Sequence, residues 1–390
     1  MFKVLTLNNI SVKGLERLPR DRYEVASEIQ HPDAILVRSQ KMHEMAIPET
    51  LKAVGRAGAG VNNIPVEAMS ARGIPVFNAP GANANAVKEL VIAGMLAASR
   101  NLFPAWAFTE GLSGSDAEIN SATEAGKKRF VGTELPGRTL GVIGLGAIGR
   151  LVANTAVALG MRVVGFDPGL TVEGAWQLSA EVEKARSVDD LVARSDYLTL
   201  HVPLIDETRN LINAERLRAA RPGLVVLNFA RGGIVDDAAI VAAIKAGQVG
   251  GYVCDFPSNA LKGCERVIAL PHLGASTLEA EENCAMMVVE EVRDFLENGN
   301  VRNAVNFPEV VMPRTEGFRL GVVNSNVPNM VGQISTALAD SGLNIIDMLN
   351  RSRGNLAYTL IDLDGAVVPT LADRLRAIEG VLAVYLFETP

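Results

Sequence analysis

One segment specifies the architecture of this chain more than any other, namely residues 139–167, TLGVIGLGAIGRLVANTAVALGMRVVGFD. Residues 139–143 form an apolar run typical of a buried strand, residues 147–159 carry apolar side chains at helical spacing, and residues 162–166 repeat the strand pattern. Strand, helix and strand in this order predict a βαβ unit of a parallel sheet. The turn between the first strand and the helix is GLGAIG, which has the glycine spacing GxGxxG.

Each glycine of this turn has a physical reason to be there. Gly144 permits the tight turn, Gly146 lets the backbone approach a pyrophosphate, and Gly149 allows the helix to pack closely on the strand. The helix that follows offers free N–H groups and the positive end of its dipole to an anion. Gly144, Gly146, Ala147, Ile148 and Gly149 therefore form a candidate dinucleotide site.

Asp167 is the candidate ligand of the ribose in this site. It follows the second strand 18 residues after Gly149, close to the spacing expected for an acid that accepts from the ribose 2′-hydroxyl. A carboxylate there repels a 2′-phosphate, so NAD is favoured over NADP. The alternative is a glycine-rich turn followed by a surface aspartate.

The alternation of strands and helices continues on both sides of this segment and predicts two parallel sheets. In the second sheet, which we expect to be doubly wound, the strands are predicted at residues 139–143, 162–166, 197–201, 224–228 and 251–255. In the first hundred residues the strands are predicted at residues 3–7, 34–37, 53–56 and 75–78. Residues 83–102 predict one long packing helix, and the polar segment 111–129 is interpreted as a connection into the second domain.

The last third of the chain predicts a return to the first domain and then a new one. Residues 277–298 predict a periodic helix that packs back on the first domain, and residues 306–317 contain two prolines and mark a boundary. Residues 318–386 follow the order strand, helix, strand, strand, helix, strand, which is the ferredoxin-like plan. We therefore divide the chain into a discontinuous domain of residues 1–98 and 276–312, a nucleotide-binding domain of residues 99–275, and a C-terminal domain of residues 317–390.

The overall composition is that of a globular chain. Its 390 residues predict two or three domains, and 37 basic against 44 acidic residues give a net charge of −7, which argues against a nucleic-acid surface. The longest apolar stretch, residues 140–166, is interrupted by charged and polar side chains, and the N-terminus lacks the apolar region of a signal peptide. The odd set Cys254, Cys264 and Cys284 has no metal-ligand spacing and suits free thiols. We expect a cytoplasmic protein with no metal, membrane or nucleic-acid partner.

Two residues are candidates for alcohol chemistry. A nicotinamide enzyme that oxidises an alcohol needs a group that takes the hydroxyl proton and a cation that holds the substrate carboxylate. His272, in LPHLGAST, and Arg231, in NFARGGIVD, both follow strand signals of the nucleotide-binding domain, where ligands of α/β sheets bind. On spacing alone, an ion-paired Arg231 and a hydrogen-bonded loop His272 are an equally good interpretation.

Several motifs together resemble one family. Residues 140–149, 199–212, 225–237 and 269–277 resemble the D-isomer-specific 2-hydroxyacid dehydrogenases. Three further segments resemble the phosphoglycerate branch of that family, namely VGRAGAGV at 54–61, NAP at 78–80 and GTEL at 132–135. The resemblance extends over essentially the whole chain, because the C-terminal segment is similar to an ACT domain.

The resemblance implies a fold and an activity. The fold is α/β, with a doubly wound NAD-binding Rossmann domain inserted in a flavodoxin-like substrate domain, followed by the ferredoxin-like ACT domain. The implied reaction is NAD-dependent oxidation of 3-phospho-D-glycerate to 3-phosphohydroxypyruvate, the entry step of serine biosynthesis, in a homodimer or homotetramer. Two alternatives stay open: another D-2-hydroxyacid oxidoreductase, and an NAD(H)-sensing protein without catalysis.

The resemblance also assigns residues. It implies that His272 is the acid/base and that Arg231 binds the substrate carboxylate. It further implies that the phosphate and carboxylate of the substrate are bound by Arg38, Ser39 and Asn83. Asp255 is expected near the nicotinamide amide. The remaining residues expected at the cofactor are Ala59, Val202, Phe229, Ala230, Gly274 and Ala275. The alternative for Arg38 is an ordinary surface charge at the end of a strand.

The chain departs from the family at one catalytic position. The family normally has a Glu shortly after the Asp that ends the fifth strand, where it holds the tautomer of the catalytic His. Here residues 254–260 are CDFPSNA, and Asn259 is the nearest match. Asn259 can orient an imidazole by a hydrogen bond but cannot stabilise the positive charge of the imidazolium. Glu265 either replaces the missing Glu or is a solvated loop residue.

The basic run 127–129 is either a solvated face or a contribution to the substrate pocket of a neighbouring subunit.

Asparagines are the polar signature of the C-terminal domain. Amide side chains both donate and accept hydrogen bonds, which suits an amino-acid ligand. By the resemblance, Asn326 and Asn344 match positions that bind a serine effector. Asn324, also assigned to this site, and Asn329 stand where the family more often has His and Gly. The alternative is a dimerising module whose asparagines stabilise turns.

Overall fold

The computed structural model describes residues 1–314 and 317–387 of the chain. It contains two compact units, one formed by Met1–Asn83 together with the chain from Leu278 onward, and the other by Ala84–Thr277. Residues 388–390, the end of the predicted C-terminal domain, and residues 315–316, in the predicted boundary, lie outside the described residues. The division into three domains stays a prediction.

The first unit begins with a parallel sheet. Its elements are strand β1 (Phe2–Leu7), helix α1 (Val12–Leu15), strands β2 (Tyr23–Ala26), β3 (Ala34–Val37) and β4 (Ala53–Arg56), helix α2 (Val66–Ala71) and strand β5 (Val76–Asn78). The strand order is β2-β1-β3-β4-β5 with all pairs parallel, which is the flavodoxin-like order. The expected flavodoxin-like sheet is confirmed, and its edge strand β2, of only four residues, was not predicted.

The second unit begins with three helices. They are α3 (Ala84–Ser99), α4 (Leu102–Glu110) and α5 (Asp116–Gly126), followed by a 3-10 turn at Lys127–Phe130. The predicted single helix at 83–102 is wrong at its end, because Asn101 adopts φ +52° and separates α3 from α4. Most of the segment 111–129, predicted as a connection between domains, is helical, whereas no helix was predicted there. Glu118 accepts the Ser115 backbone N–H at 2.7 Å, a capping interaction that starts α5.

A seven-stranded parallel sheet forms the rest of this unit. In chain order its elements are β6 (Thr139–Ile143), α6 (Ala147–Ala158), β7 (Arg162–Phe166), α7 (Val172–Trp176), β8 (Val182–Lys184), α8 (Val188–Arg194), β9 (Tyr197–Leu200), α9 (Ala214–Ala219), β10 (Leu224–Asn228), α10 (Asp237–Lys245), β11 (Val249–Cys254) and β12 (Val267–Ala269). The order β12-β11-β10-β9-β6-β7-β8 places β9 beside β6, where the direction of winding reverses. This confirms the doubly wound sheet, in which ligands bind at the carboxyl ends of the strands around that reversal.

The chain then returns to the first unit. Its last elements are α11 (Leu278–Asn298), β13 (Phe318–Ser325), α12 (Met330–Ala339), β14 (Ile345–Arg353), β15 (Leu356–Leu363), α13 (Pro369–Arg376) and β16 (Val381–Phe387). The antiparallel order β14-β15-β13-β16 confirms the ferredoxin-like plan.

This antiparallel sheet packs against α11. Phe295 of α11 lies 5.2 Å from the ring of Tyr385 and 6.0 Å from that of Phe387, centroid to centroid. Arg319, fully buried in β13, donates to both carboxylate oxygens of Asp362 at 2.6 and 2.8 Å. The same guanidinium donates to the backbone carbonyls of Asn298, at the end of α11, and of Met312 and Pro313, in the segment before β13, so all of its sides have polar partners.

Among the described residues, no single helix has the length and apolar character needed to cross a membrane; α3 and α4, bent by 64°, meet those criteria only when they are counted together.

Candidate active site

The glycine loop between β6 and α6 is shaped by three different constraints. Gly144 adopts φ +89°, and a Cβ there would lie 2.5 Å from the carbonyl oxygen of His201. A Cβ on Gly149 would lie 1.9 Å from the carbonyl oxygen of Gly144. A Cβ on Gly146 would meet no described atom within 4 Å. The fold therefore requires the first and third glycines, whereas Gly146 keeps a stretch of backbone open to an approaching group.

Asp167 is fixed beside this loop. Its Oδ2 accepts the backbone N–H of Leu145 and its Oδ1 accepts that of Gly169, both at 2.8 Å. The side chain is half-buried at the end of β7. The structure thus brings the predicted ribose ligand to the predicted pyrophosphate loop, with its carboxylate orientation set by two amides.

The turn that carries Arg231 is held by a residue that sequence reasoning missed. Asn228, fully buried at the end of β10, accepts the N–H of Ala230 at 3.2 Å and donates to the carbonyl of Arg231 at 2.9 Å. The Arg231 side chain is exposed and donates to the carbonyl of Ala230 at 2.6 Å. An amide at the end of a strand is the signal that could have identified Asn228, because it can brace the turn from both sides.

Asp255 holds the loop of His272. Its backbone carbonyl accepts the N–H of His272 at 3.0 Å, and its Oδ2 accepts the N–H of Gly274 at 3.1 Å. Asp255 is fully buried, and its Oδ1 has no hydrogen-bond partner within residues 1–314 and 317–387. Burial raises the pKa of this carboxyl, while the Gly274 hydrogen bond and the charges of His272 and Arg231 act in the opposite direction. Arg231, Asp255 and His272 are therefore close enough to interact.

His272 is presented outward on a strained backbone. It is exposed, with φ +24°, a value that a side chain with a Cβ rarely adopts. Its ring packs against that of Phe256, with the centroids 4.9 Å apart and the planes inclined by 49°. Sequence reasoning missed Phe256, which lies directly after Asp255. Strain of this kind is common at functional sites.

The structure does not bring Asn259 or Glu265 to His272. Both side chains are exposed, and no hydrogen bond joins either of them to the imidazole within the described part of the chain. The acidic residue whose contact with His272 is seen is Asp255, and that contact is the hydrogen bond from the His272 N–H to its backbone carbonyl. The identity of the third catalytic member stays a prediction.

The other residues predicted at the cofactor have different surroundings. Val202 is half-buried beside Gly144, and Ala230 is also half-buried. The ring of Phe229 is buried and packs on Gly94 of α3, so only its backbone is available. Gly274 is buried and Ala275 exposed. Ala59, in the other unit, is half-buried, and its carbonyl accepts from the amide of Asn78.

The candidate phosphate residues lie in the first unit. Arg38 follows β3, and its guanidinium forms an ion pair with Glu281 of α11. The next two backbone N–H groups, those of Ser39 and Gln40, donate to Oδ1 of Asn8 at 3.2 and 2.6 Å. Asn83, predicted with Arg38 and Ser39, is half-buried just before α3. Sequence reasoning missed Asn8 and Glu281, whose roles depend on contacts distant along the chain.

The predicted effector residues are not together in one chain. Asn324 is buried at the end of β13, donates to the carbonyl of Ser325 at 2.7 Å, and its Oδ1 has no partner among the described residues. Asn326 is exposed and donates to the carbonyl of Gly354 at 3.0 Å. Asn344 precedes β14 at the opposite end of the sheet, because β14 begins beside the residues paired with the start of β13.

The basic run 127–129 lies on the surface. Lys127 pairs with Glu124, and the guanidinium of Arg129 lies over the rings of Phe108 and Phe130 at 5.4 and 5.5 Å. All three basic side chains are exposed.

Comparison with known proteins identifies the family of this arrangement. The family described as D-isomer specific 2-hydroxyacid dehydrogenase, NAD binding domain, matches residues 92–274. A D-3-phosphoglycerate dehydrogenase of Mycobacterium bovis is 36% identical over 383 residues, which cover 93% of this chain and 69% of that protein. One from Methanocaldococcus jannaschii is 35% identical over 87% of this chain and 63% of its own length. The chain thus spans less than two thirds of the latter relative.

Solved structures show the same architecture over most of the chain. The structure of a glyoxylate reductase from Paecilomyes thermophila superposes with a TM-score of 0.63 at 26% identity. The match covers 78% of this chain and 98% of the reductase.

Proposed function

The chain belongs to the D-isomer-specific 2-hydroxyacid dehydrogenases, and we propose that it oxidises 3-phospho-D-glycerate to 3-phosphohydroxypyruvate with NAD. The observation that carries the proposal is the group of Arg231, Asp255 and His272 at the carboxyl ends of β10 and β11 and in the following loop. The relatives named D-3-phosphoglycerate dehydrogenase support the choice of substrate.

The residues of the second unit fit an NAD molecule. Gly146 leaves backbone open for a pyrophosphate at the N-terminus of α6, and Asp167 lies beside it for a ribose hydroxyl. Oδ1 of Asp255, which has no hydrogen-bond partner among the described residues, is an acceptor that a carboxamide N–H of the nicotinamide would satisfy. When bound, NAD supplies the hydride acceptor; the rest of the chemistry is the task of side chains.

Proton transfer and substrate orientation fall to His272 and Arg231. The exposed imidazole takes the proton of the substrate hydroxyl during oxidation and returns it to the carbonyl oxygen during reduction. Asp255 fixes the loop of the imidazole by accepting the N–H groups of His272 and Gly274, and Phe256 restricts the ring. The planar guanidinium of Arg231 binds the substrate carboxylate through two donors.

The phosphate of the substrate is assigned to Arg38 and Ser39, and a further hydrogen bond to its carboxylate to Asn83. A guanidinium next to backbone amides offers the charge and the donors that a phosphate requires. The main alternative is that the substrate is a hydroxy acid without a phosphate. In that case Arg38 would have no phosphate to bind.

The test is NADH consumption with 3-phosphohydroxypyruvate, unphosphorylated hydroxypyruvate and 2-oxoglutarate as separate substrates. We expect strong preference for the phosphorylated substrate. In the variant His272→Ala, kcat should fall about 10²- to 10⁴-fold while NADH binding is kept. Equal use of the two hydroxypyruvates would favour another D-2-hydroxyacid oxidoreductase, and NADH binding without turnover would favour the sensor.

For the C-terminal domain we propose an ACT-like role in a homo-oligomer, with serine as effector. Because Asn326 and Asn344 lie at opposite ends of one sheet, a serine site that uses both requires two copies of the chain. Serine should inhibit the wild type, and Asn344→Ala should abolish the inhibition without altering kcat. A homodimer that is insensitive to serine would support the dimerising module instead.

We also propose a cytoplasmic location. It is supported by Cys254, Cys264 and Cys284, all of which are free thiols, as expected in a reducing compartment. Fractionation of cells followed by detection of the native protein tests this location.

A further inference from the structure

We propose that Glu281 is a specificity-determining residue, whose carboxylate competes with the phosphate of the substrate for the guanidinium of Arg38. The proposal rests on the proposed function, in which Arg38 binds that phosphate. It starts from the ion pair between Nη2 of Arg38 and Oε1 of Glu281, two residues 243 positions apart in the sequence.

The ion pair is open to exchange. The side chains of Arg38 and Glu281 are 39% and 38% exposed, so water and salt screen their attraction. A buried pair would have to be broken at high cost, whereas a partly exposed one can give up its carboxylate to an incoming dianion. A phosphate has more charge and more acceptor oxygens than a carboxylate, which favours the exchange.

Arg38 does not depend on Glu281 for its backbone position. Its carbonyl accepts from Nε of Arg56 at 3.0 Å and from Nδ2 of Asn63 at 3.4 Å. The loop after it is fixed by Asn8, which accepts two successive backbone N–H groups. Replacing Glu281 should therefore free the guanidinium while the loop stays in place.

Glu281 pairs with Arg38, whereas the next residue on the same helix, Glu282, has a different partner. It is in the first turn of α11, where a negative side chain is favourable to the helix. The adjacent Glu282 pairs with Nζ of Lys13 at 2.7 Å instead. Two neighbouring carboxylates on one helix thus have different partners, which provides a matched control.

The consequence is selective for phosphorylated substrates. Glu281 occupies a donor of the fork that the phosphate would use, and its charge repels a dianion at that site. An unphosphorylated hydroxy acid makes no contact there and should not respond. Glu281 therefore weakens phosphate binding to Arg38 and sets the KM for the phosphorylated substrate above the value that Arg38 alone would give.

The test compares Glu281→Gln with Glu282→Gln, because both remove one negative charge from the same turn of α11. For Glu281→Gln we expect the KM for 3-phosphohydroxypyruvate to fall about 5- to 10-fold with kcat unchanged. The KM for hydroxypyruvate should stay within about twofold. Inorganic phosphate, used as a competitive inhibitor, should bind more tightly by the same factor, and Glu282→Gln should behave as wild type.

Three outcomes would overturn the proposal: an unchanged KM for the phosphorylated substrate in Glu281→Gln, a raised KM, or an equal change for both substrates. A raised KM would mean that Glu281 positions Arg38 productively. The wild type separates this failure from failure of the proposed function, because a wild type without preference for the phosphorylated substrate contradicts the function itself. Circular dichroism and melting of both variants verify that they fold.

Discussion

The two parallel sheets of this molecule each end in a candidate anion site, yet they build it from different parts of the chain. In the seven-stranded sheet the site is backbone, from Gly144 to Gly149, and its shape is set by close contacts within that loop and with the residues directly after β9. In the five-stranded sheet the site is the side chain of Arg38, which pairs with Glu281 and precedes a loop whose backbone N–H groups donate to Asn8. The backbone site forms only if glycine occupies the positions where the fold leaves no room for a Cβ. The side-chain site depends instead on contacts with residues far away in the sequence.

The largest effect is expected where the backbone site cannot accept a side chain. Gly149→Ala would place a Cβ 1.9 Å from the carbonyl oxygen of Gly144. We expect a loss of about 3 kcal/mol or more of stability and no measurable NADH binding. Thermal melting and a fluorescence titration with NADH measure both effects. An NADH Kd within a few-fold of wild type would contradict the steric argument.

Gly146→Ala should separate binding from folding in the same loop. Because a Cβ at Gly146 meets no described atom within 4 Å, the melting temperature should change by no more than about 2 °C. The methyl group would occupy the space in which a pyrophosphate approaches, so NADH affinity should fall about 30-fold. The same titration checks this, and unaltered affinity would mean that the dinucleotide does not lie against Gly146.

The side-chain site should respond to the shape of the cation. Arg38→Lys keeps the charge but loses the planar fork of donors, so the KM for 3-phosphohydroxypyruvate should rise about tenfold. The KM for NADH should stay as in wild type, since the loop of Gly144–Gly149 is untouched. Steady-state kinetics with each substrate varied in turn test this contrast. A shift in both KM values would show that the two sites are not separate in function.

The smallest effect concerns a buried carboxyl group in each unit. Asp255 and Glu291 each have one oxygen without a hydrogen-bond partner among the described residues, but only Asp255 interacts with His272 and Arg231. Burial raises the pKa of Glu291 to about 7, although the hydrogen bond from Asn303 partly opposes this. The folded state therefore holds a proton that the unfolded state releases near pH 4.5. The free energy of unfolding should therefore fall as the pH rises from 4.5 to about 7. Above pH 7 the contribution of the protonated Glu291 to stability is lost.

Glu291→Gln removes that titration. At pH 8.5 the variant should be more stable than wild type by on the order of 1 kcal/mol, whereas at pH 4 the two should be alike. NADH binding should be the same in both, because Glu291 belongs to the other unit. Urea unfolding at the two pH values measures the difference. A stability gain that is independent of pH would contradict the protonation argument.

The contrast between the two sites also explains which features could be predicted from the sequence and which could not. The Gly144–Gly149 turn, the strand before it and Asp167 were all predictable, because they lie within one βαβ unit whose motif fixes their spacing along the chain. The helix α5 was missed because its polar composition resembles a loop, although Ser115 and Glu118 carry a capping signature. The edge strands β2, β8 and β12 were missed because they are short and at least partly exposed to solvent along most of their length, so they lack the continuous buried run of the central strands.

The remaining misses involve long-range contacts. Asn228 and Phe256 were overlooked beside residues that were predicted, since only the folded turn shows what they contact. Glu281 lies on a helix that was predicted, but nothing in its local sequence indicates a pair with Arg38. For the C-terminal sheet, the strand order was predictable, whereas the separation of Asn344 from Asn326 follows from the register.

The most direct test of the account is the ratio of kcat/KM for 3-phosphohydroxypyruvate to that for hydroxypyruvate, measured at saturating NADH in wild type and Arg38→Ala. We predict that wild type favours the phosphorylated substrate about 100-fold, corresponding to about 2.7 kcal/mol, and that Arg38→Ala loses most of this preference while it still turns over hydroxypyruvate. A wild-type ratio near one, or an unchanged ratio in Arg38→Ala, would contradict the assignment of the substrate phosphate to Arg38.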